Sequence, residues 1–140
     1  MWLLYALLSA IFAAGVAIVG KLGLKNIDST LATTIRAVVM AVFLLLVSFS
    51  LKKFRAFNVH SLSDKDWLFI VAAGIFGALS WLFYFFALKH GPATPVAAID
   101  RLSLVFVMCL ALLFLGEQFS LRILIGVLMM AAGAILISLK

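Results

Sequence analysis

Polar and charged positions along the chain fall into short clusters, and long apolar runs fill the space between them. A helix crosses a bilayer with about 20 apolar residues at about 1.5 Å per residue. Runs of that length lie at about 2–22, 29–51, 65–90, 93–115 and 120–139. They are long and continuous, not short and alternating, so the pattern predicts helices and no strands. The clusters carry helix punctuation. Asp28, Ser29 and Thr30 are N-cap residue types ahead of the second run. Ser63 and Asp64 precede the third, with Asp66 placed as the acid of a capping box. Gly91 closes the third run and Pro92 opens the fourth. Pro95 lies in the first turn of that helix, where a missing N–H costs little, so no kink is expected there. Gly116 ends the fourth run and Ser120 precedes the fifth. The expected fold is an all-α membrane protein, one domain of five transmembrane helices over residues 1–140. Short connectors make neighbouring helices antiparallel.

Composition supports lipid as the main solvent. Hydrophobic residues are 67% of the 140 and charged residues only 11%, against about 45–50% apolar in soluble domains. The net charge of +6 is therefore read through loop asymmetry and not as a nucleic-acid footprint, since no basic motif accompanies it. Cys109 stands alone in an apolar run and reads as a small packing residue. The first run has no Lys or Arg at its start and more apolar runs follow it, so a cleaved signal peptide is not expected.

Call the side holding the N-terminal end of span one side A. Its connectors carry Lys52, Lys53, Arg55, Lys65 and Arg122, while side B carries Lys21, Lys25, Lys89 and Lys140. The Lys/Arg difference normally sets orientation, and here it barely chooses. Insertion both ways round, giving an antiparallel homodimer with inverted symmetry, is one reading; a count without meaning is the other. Side A is the cytoplasmic choice if one is forced, because its charges cluster in the connector 52–65. That connector, with Phe54 and Phe57, reads as an interfacial loop, with a gate or lipid-binding patch as the sharper alternative. Trp2, Tyr5 and Trp67 fall at side-A span ends, where aromatic belts form.

Three ionisable residues lie inside the apolar runs: Arg36, Asp100 and Arg101. Such groups cost about 2.5–3.5 kcal/mol on insertion scales, which favours a use for them. Arg36 follows Asp28, and Asp100 follows Pro92, by the same eight residues. Both groups thus sit about 12 Å in from side B and can pair. The pairing reads either as a pin between spans two and four or as a polar cavity wall. Arg101 lies about 100° further round its helix. Two guanidiniums against one carboxylate leave a cation for a ligand's carboxylate or phosphate, or one that snorkels to side B.

Helical spacing extends the set. Ser103 shares a face with Asp100, as do Ser29 and Thr33 with Arg36. Gly77, Ser80, Trp81 and Tyr84 share a face of span three near mid-membrane, which suits either a substrate wall or core packing with a satisfied Tyr hydroxyl. Small residues recur at steps of four on span one (Ser9, Ala13, Ala17) and span three (Ala73, Gly77, beside Gly74 and Ala78), a pattern that predicts close helix packing. No zinc-protease, nucleophile-elbow, P-loop or metal-ligand motif occurs. His60 reads as a loop residue, His90 as a cation at a helix end and Glu117 as a cap or surface group. No enzyme activity, cofactor or metal is expected.

Several stretches carry a family pattern. Ser9–Ala17 is a small-residue helix ending in Gly20-Lys21-Leu22-Gly23-Leu24. Span three ends in Ala87-Leu88-Lys89-His90-Gly91-Pro92-Ala93 and span four in Leu115-Gly116-Glu117. In order and spacing, over nearly its whole length, the chain resembles the EamA repeat of the drug/metabolite transporter superfamily. Most members have ten spans in two inverted five-span repeats; this chain resembles the five-span bacterial and archaeal members. The resemblance implies that spans one to four surround a substrate cavity, that span five is peripheral, and that a second copy completes the unit. Asp100-Arg101 departs from the Ser-Pro of many ten-span members and is closer to the Asp-Lys of five-span ones.

The expected function is secondary transport of a small metabolite by alternating access in a prokaryotic inner membrane, by an antiparallel dual-topology homodimer. Its expected partners are a small-molecule substrate and membrane lipid. Arg36, Asp100, Arg101 and Ser103 would form the polar part of the cavity, with Asp100 the candidate for proton coupling, and Ser80, Trp81 and Tyr84 the aromatic wall. The alternatives are a non-transporting membrane scaffold or subunit of a larger complex, and an exporter like the small multidrug resistance proteins. Those use a span-one carboxylate, and span one here has none.

Overall fold

The computed structural model describes residues 1–56, 62–116, 118 and 120–139. Phe57, His60, Glu117 and Lys140, each with an expectation above, lie outside the described residues, as do the side chains of Arg55 and Ala56. The helices are α1 (Trp2–Gly23), α2 (Ser29–Ser50), α3 (Asp64–His90), α4 (Ala93–Asp100), α5 (Ser103–Leu110) and α6 (Leu121–Ser138). A 3-10 turn, Lys53–Ala56, follows α2, and a π turn, Ala111–Leu115, follows α5. No strand occurs among the described residues. Five stretches are long and apolar enough to cross a membrane: α1, α2, α3, Ala93–Leu115 and α6. The fold is all-α and multi-pass.

The helix starts follow from local chemistry. Asp28 Oδ1 accepts from the backbone N–H of Thr30 at 2.8 Å and of Leu31 at 3.1 Å, satisfying two of the orphan donors that open α2. At α3 the Ser63 N–H and hydroxyl donate to Asp66 Oδ2 at 2.9 and 2.8 Å, and the Asp66 N–H donates back to Ser63 Oγ at 3.3 Å. This is the expected capping box, with an Asp in place of the usual Glu.

Two compact units make up the chain: Gly23–Lys89, and Met1–Leu22 with His90–Lys140. In the first, the backbones of α2 and α3 do not run in close contact along their length. The end of α3 is tied instead to the loop before α2, through Lys89 Nζ donating to the Ile27 carbonyl at 3.2 Å. Leu24, Ser29, Phe85 and Leu88 are buried near that end.

In the second unit, α6 packs along α4 and more lightly along α5. Lys21 Nζ donates to the Gly91 carbonyl at 2.8 Å and clips the end of α1 to the turn before α4. The fourth span is not one continuous helix. It tightens at Arg101 and Leu102, where Arg101 N–H bonds Ala98 O at 3.1 Å and Leu102 N–H bonds Ile99 O at 2.9 Å. These are i→i−3 bonds of the 3-10 type. The tight turn falls on the adjacent charges and not on Pro95, which sits unkinked in the first turn of α4 as expected. The span then widens into the π turn. It stops at Gly116, whose φ of +64° is the left-handed conformation glycine adopts freely, with its N–H bonded to the Ala111 carbonyl.

Candidate substrate groove between α2 and α3

The Thr-rich start of α2 and the small-residue face of α3 leave a groove of about 630 Å³ in the Gly23–Lys89 unit. That lies within the range of about 300–1,000 Å³ typical of ligand pockets. From α2 it is lined by Thr30, Thr33, Thr34, Arg36, Met40 and Leu44, and from α3 by Ala73, Gly74, Gly77, Ala78, Trp81 and Leu82, among others. A Cβ added at Gly74 or Gly77 would meet nothing within 4 Å. The small-residue stripe of α3 therefore borders open space here, and not the close helix contact its spacing predicts. Close approach needs small residues on the facing helix as well, and α2 presents Arg36, Met40 and Leu44 to the groove.

Arg36 is the polar centre of this groove. Its guanidinium carbon lies 3.7 Å from the centroid of the Trp81 ring and 5.4 Å from that of Phe85. Trp81 in turn meets Tyr84 edge-on at 5.5 Å and Phe85 at 6.1 Å. A desolvated cation–π contact is worth about 0.5–2 kcal/mol, less than the cost of about 2.5–3.5 kcal/mol of inserting an arginine at mid-membrane. The stack holds the guanidinium but does not by itself offset its desolvation. Two carboxylates of this unit are engaged at helix starts: Asp28 caps α2 and Asp66 bonds Ser63. Asp64 opens α3, about 25 Å along the helix from Trp81.

The threonines on this wall are already partly used. Thr33 Oγ1 donates to the Ser29 carbonyl at 2.7 Å, and Thr34 Oγ1 to the Thr30 carbonyl at 2.9 Å. With their protons committed, these hydroxyls keep only lone pairs to offer. Ser29, fully buried, has a hydroxyl oxygen with no hydrogen-bond partner. Outside the spans, the Asp28 carboxyl is held below its ordinary value by the backbone N–H groups of Leu31 and then Thr30.

The structure thus brings Arg36, Trp81 and Tyr84 of the expected set into one cluster. Ser80, exposed on α3, is not among the groove-lining residues. Asp100, Arg101 and Ser103 belong to the other unit. There Asp100 ends α4, Arg101 lies in the tight turn and Ser103 opens α5, all three exposed. Because residues i and i+3 eclipse in a 3-10 turn, Asp100 and Ser103 keep the shared face their spacing predicts. The sequence reading missed Phe85, Thr30, Thr34, Met40 and Leu44. A depth count would have found the central contact. Arg36 lies about 12 Å from the Asp28 cap of its helix and Trp81 about 14 Å from the end of the neighbouring antiparallel one.

Five apolar spans define a multi-pass membrane protein. The chain matches the EamA-like transporter family over residues 1–139, and it belongs to that family. It is 39% identical over 137 residues, covering 98% of this chain and 96% of the other, to a Sinorhizobium protein described as "Uncharacterized transporter in cobO 3'region". No solved structure matches it. The protein is a membrane transporter by family.

Proposed function

We propose that the protein is a secondary transporter that moves a small metabolite by alternating access across a prokaryotic inner membrane, its five spans acting as one transmembrane domain in an antiparallel dual-topology homodimer. The observation that carries this reading is the Arg36 guanidinium stacked on Trp81 in a groove of about 630 Å³. A membrane protein with no use for a ligand gains nothing from an open intramembrane groove built around a costly cation. In this reading Arg36, Trp81 and Tyr84 bind substrate from α2 and α3. Asp100, Arg101 and Ser103 do so from the break in the fourth span, Asp100 carries a coupling proton, and Ser80 reaches substrate from α3. Broken helices are a recurrent way to present polar groups inside a membrane. A second copy is supported by the balanced loop charges.

Two labelling experiments in the Cys109→Ala background test the reading. Lys140→Cys in intact cells, treated with an impermeant thiol reagent before and after lysis, should be protected in about half of the molecules. Uniform labelling or uniform protection would remove the dual-topology dimer. Ala41→Cys, on the groove wall, should be labelled to completion by the impermeant reagent from outside both inside-out and right-side-out vesicles, because every copy opens to each side in turn. Labelling of about half of the molecules, which dual insertion alone would give, or access from one face only would remove alternating access.

A further inference from the structure

We propose that the groove between α2 and α3 selects an amphipathic monoanion: one carboxylate or phosphate diester on Arg36, a hydrogen-bond donor near it read by Thr33, and an apolar body along Gly74 and Gly77. This deepens the transporter reading and rests on it for what the site is for.

The charge sign follows from how Arg36 is held. The Arg36 guanidinium carbon lies 3.7 Å from the Trp81 ring centroid, the separation at which arginine stacks its plane on an aromatic face. Its N–H donors lie in the guanidinium plane, so the stack orients the group and leaves its donor edge available for a planar two-oxygen acceptor. A single guanidinium at the polar centre matches a single anionic head.

The donor follows from Thr33. It lies one turn before Arg36, on the same helix face. Its proton is spent on the Ser29 carbonyl at 2.7 Å, so what it offers to the groove is acceptance. A hydroxyl or amine one or two atoms from the anionic group would meet that oxygen. The apolar body follows from the glycines, since an added Cβ at either position finds open space.

The anion has two possible sources. Arg36 lies about 10 Å along α2 from its first residue, within reach of a lipid phosphate as well as of a solute from water. The shared chemistry is a singly charged oxyanion on an apolar body.

The full chain in phosphatidylcholine nanodiscs would be titrated calorimetrically with 3-phenyllactate, its methyl ester, 3-phenylpropionate, methyl phenyl phosphate and 2-phenylethylamine. The acids and the phosphate should bind, and the ester and the amine should not. Arg36→Gln should weaken 3-phenyllactate at least tenfold, with Arg36→Lys between it and the parent. Thr33→Val should weaken 3-phenyllactate several-fold and leave 3-phenylpropionate unchanged, and this split decides the matter if Arg36→Gln does not fold. Equal binding of acid and ester, an unchanged Kd in Arg36→Gln, no Thr33→Val split, or binding by none of the anions overturns the proposal. Adding phosphatidylglycerol separates the sources: a raised apparent Kd for methyl phenyl phosphate supports a lipid headgroup, and an unchanged one supports a soluble anion. Complete two-sided labelling at Ala41→Cys without anion selectivity overturns this inference alone. Incomplete or one-sided labelling with anion selectivity overturns the transport reading alone.

Discussion

Replacing Gly74 and Gly77 together by alanine separates two explanations of the small-residue face of α3. If that face were a helix contact inside the chain, two added methyls would overpack it at about 1–3 kcal/mol, and the protein would be less stable. The structure gives the opposite sign. A Cβ at either position meets nothing within 4 Å, so no steric cost arises. What remains is the gain from replacing a mid-helix glycine by alanine, about 0.5–1 kcal/mol at each site. The sum, about 1–2 kcal/mol, corresponds to a rise in Tm of about 2–8 °C for a chain of this size. Thermal unfolding of the purified double variant in detergent reads the shift, and size-exclusion of the same sample reads the oligomeric state. Both methyls enter the groove, so binding of a bulky apolar body should weaken while the fold gains. A fall in Tm, or a loss of dimer, would show that the face is a packed contact and not a ligand wall.

Three further outcomes follow from single residues. Gly116→Ala puts an L side chain at φ +64° and should cost about 1–2 kcal/mol, read as a lower Tm, with Gly116→Asn milder. Ser29→Ala removes a buried hydroxyl that has no partner, a group that costs about 1–3 kcal/mol when left unpaired; the variant should match or exceed the parent in Tm, and a clear loss would reveal an acceptor or donor for that oxygen. The Asp28 carboxyl is held below its ordinary value of 3.8 by the N–H groups of Leu31 and Thr30. Its stabilising contribution is therefore complete above about pH 4 and is lost as pH falls through the lower folded value. Asp28→Asn, which caps without titrating, should flatten that acidic limb in a pH series of melts.

Much of the fold was legible because the membrane makes the hydrophobic signal long and the caps make its edges sharp. Asp28, Ser63 with Asp66, and Gly116 each stop or start a helix where the sequence places them. The tight turn in the fourth span was less legible, since it is a property of backbone hydrogen bonding. Its visible trace was the adjacent pair Asp100-Arg101, while Pro95, the more obvious helix breaker nearby, lies in the first turn of α4 and leaves it unbroken. The π turn over Ala111–Leu115 left no trace, because Ala, Leu and Phe are equally at home in an ordinary helix. In the groove, Arg36 and Trp81 were each visible as unusual residues at mid-membrane. Their contact was not, because helix periodicity gives faces within one helix and leaves open which neighbouring face is opposite. Counting depth from the shared end of two antiparallel helices brings Arg36 and Trp81 to similar height.

The two lysine clips bear on how the orientation of such a chain can change over generations. Lys21 and Lys89 are topogenic charges on side B, yet each also holds a backbone carbonyl, of Gly91 and of Ile27. Losing either would alter insertion and loosen a loop together, so selection for folding guards both. Among the described residues, Lys52, Lys53 and Lys65 on side A have no such side-chain bond, and they can be gained or lost with little effect on the fold. After a gene duplication, then, the two copies could be driven to opposite, fixed orientations by drift in that single connector. Lys21 and Lys89 would act as the stationary reference against which the drift is counted.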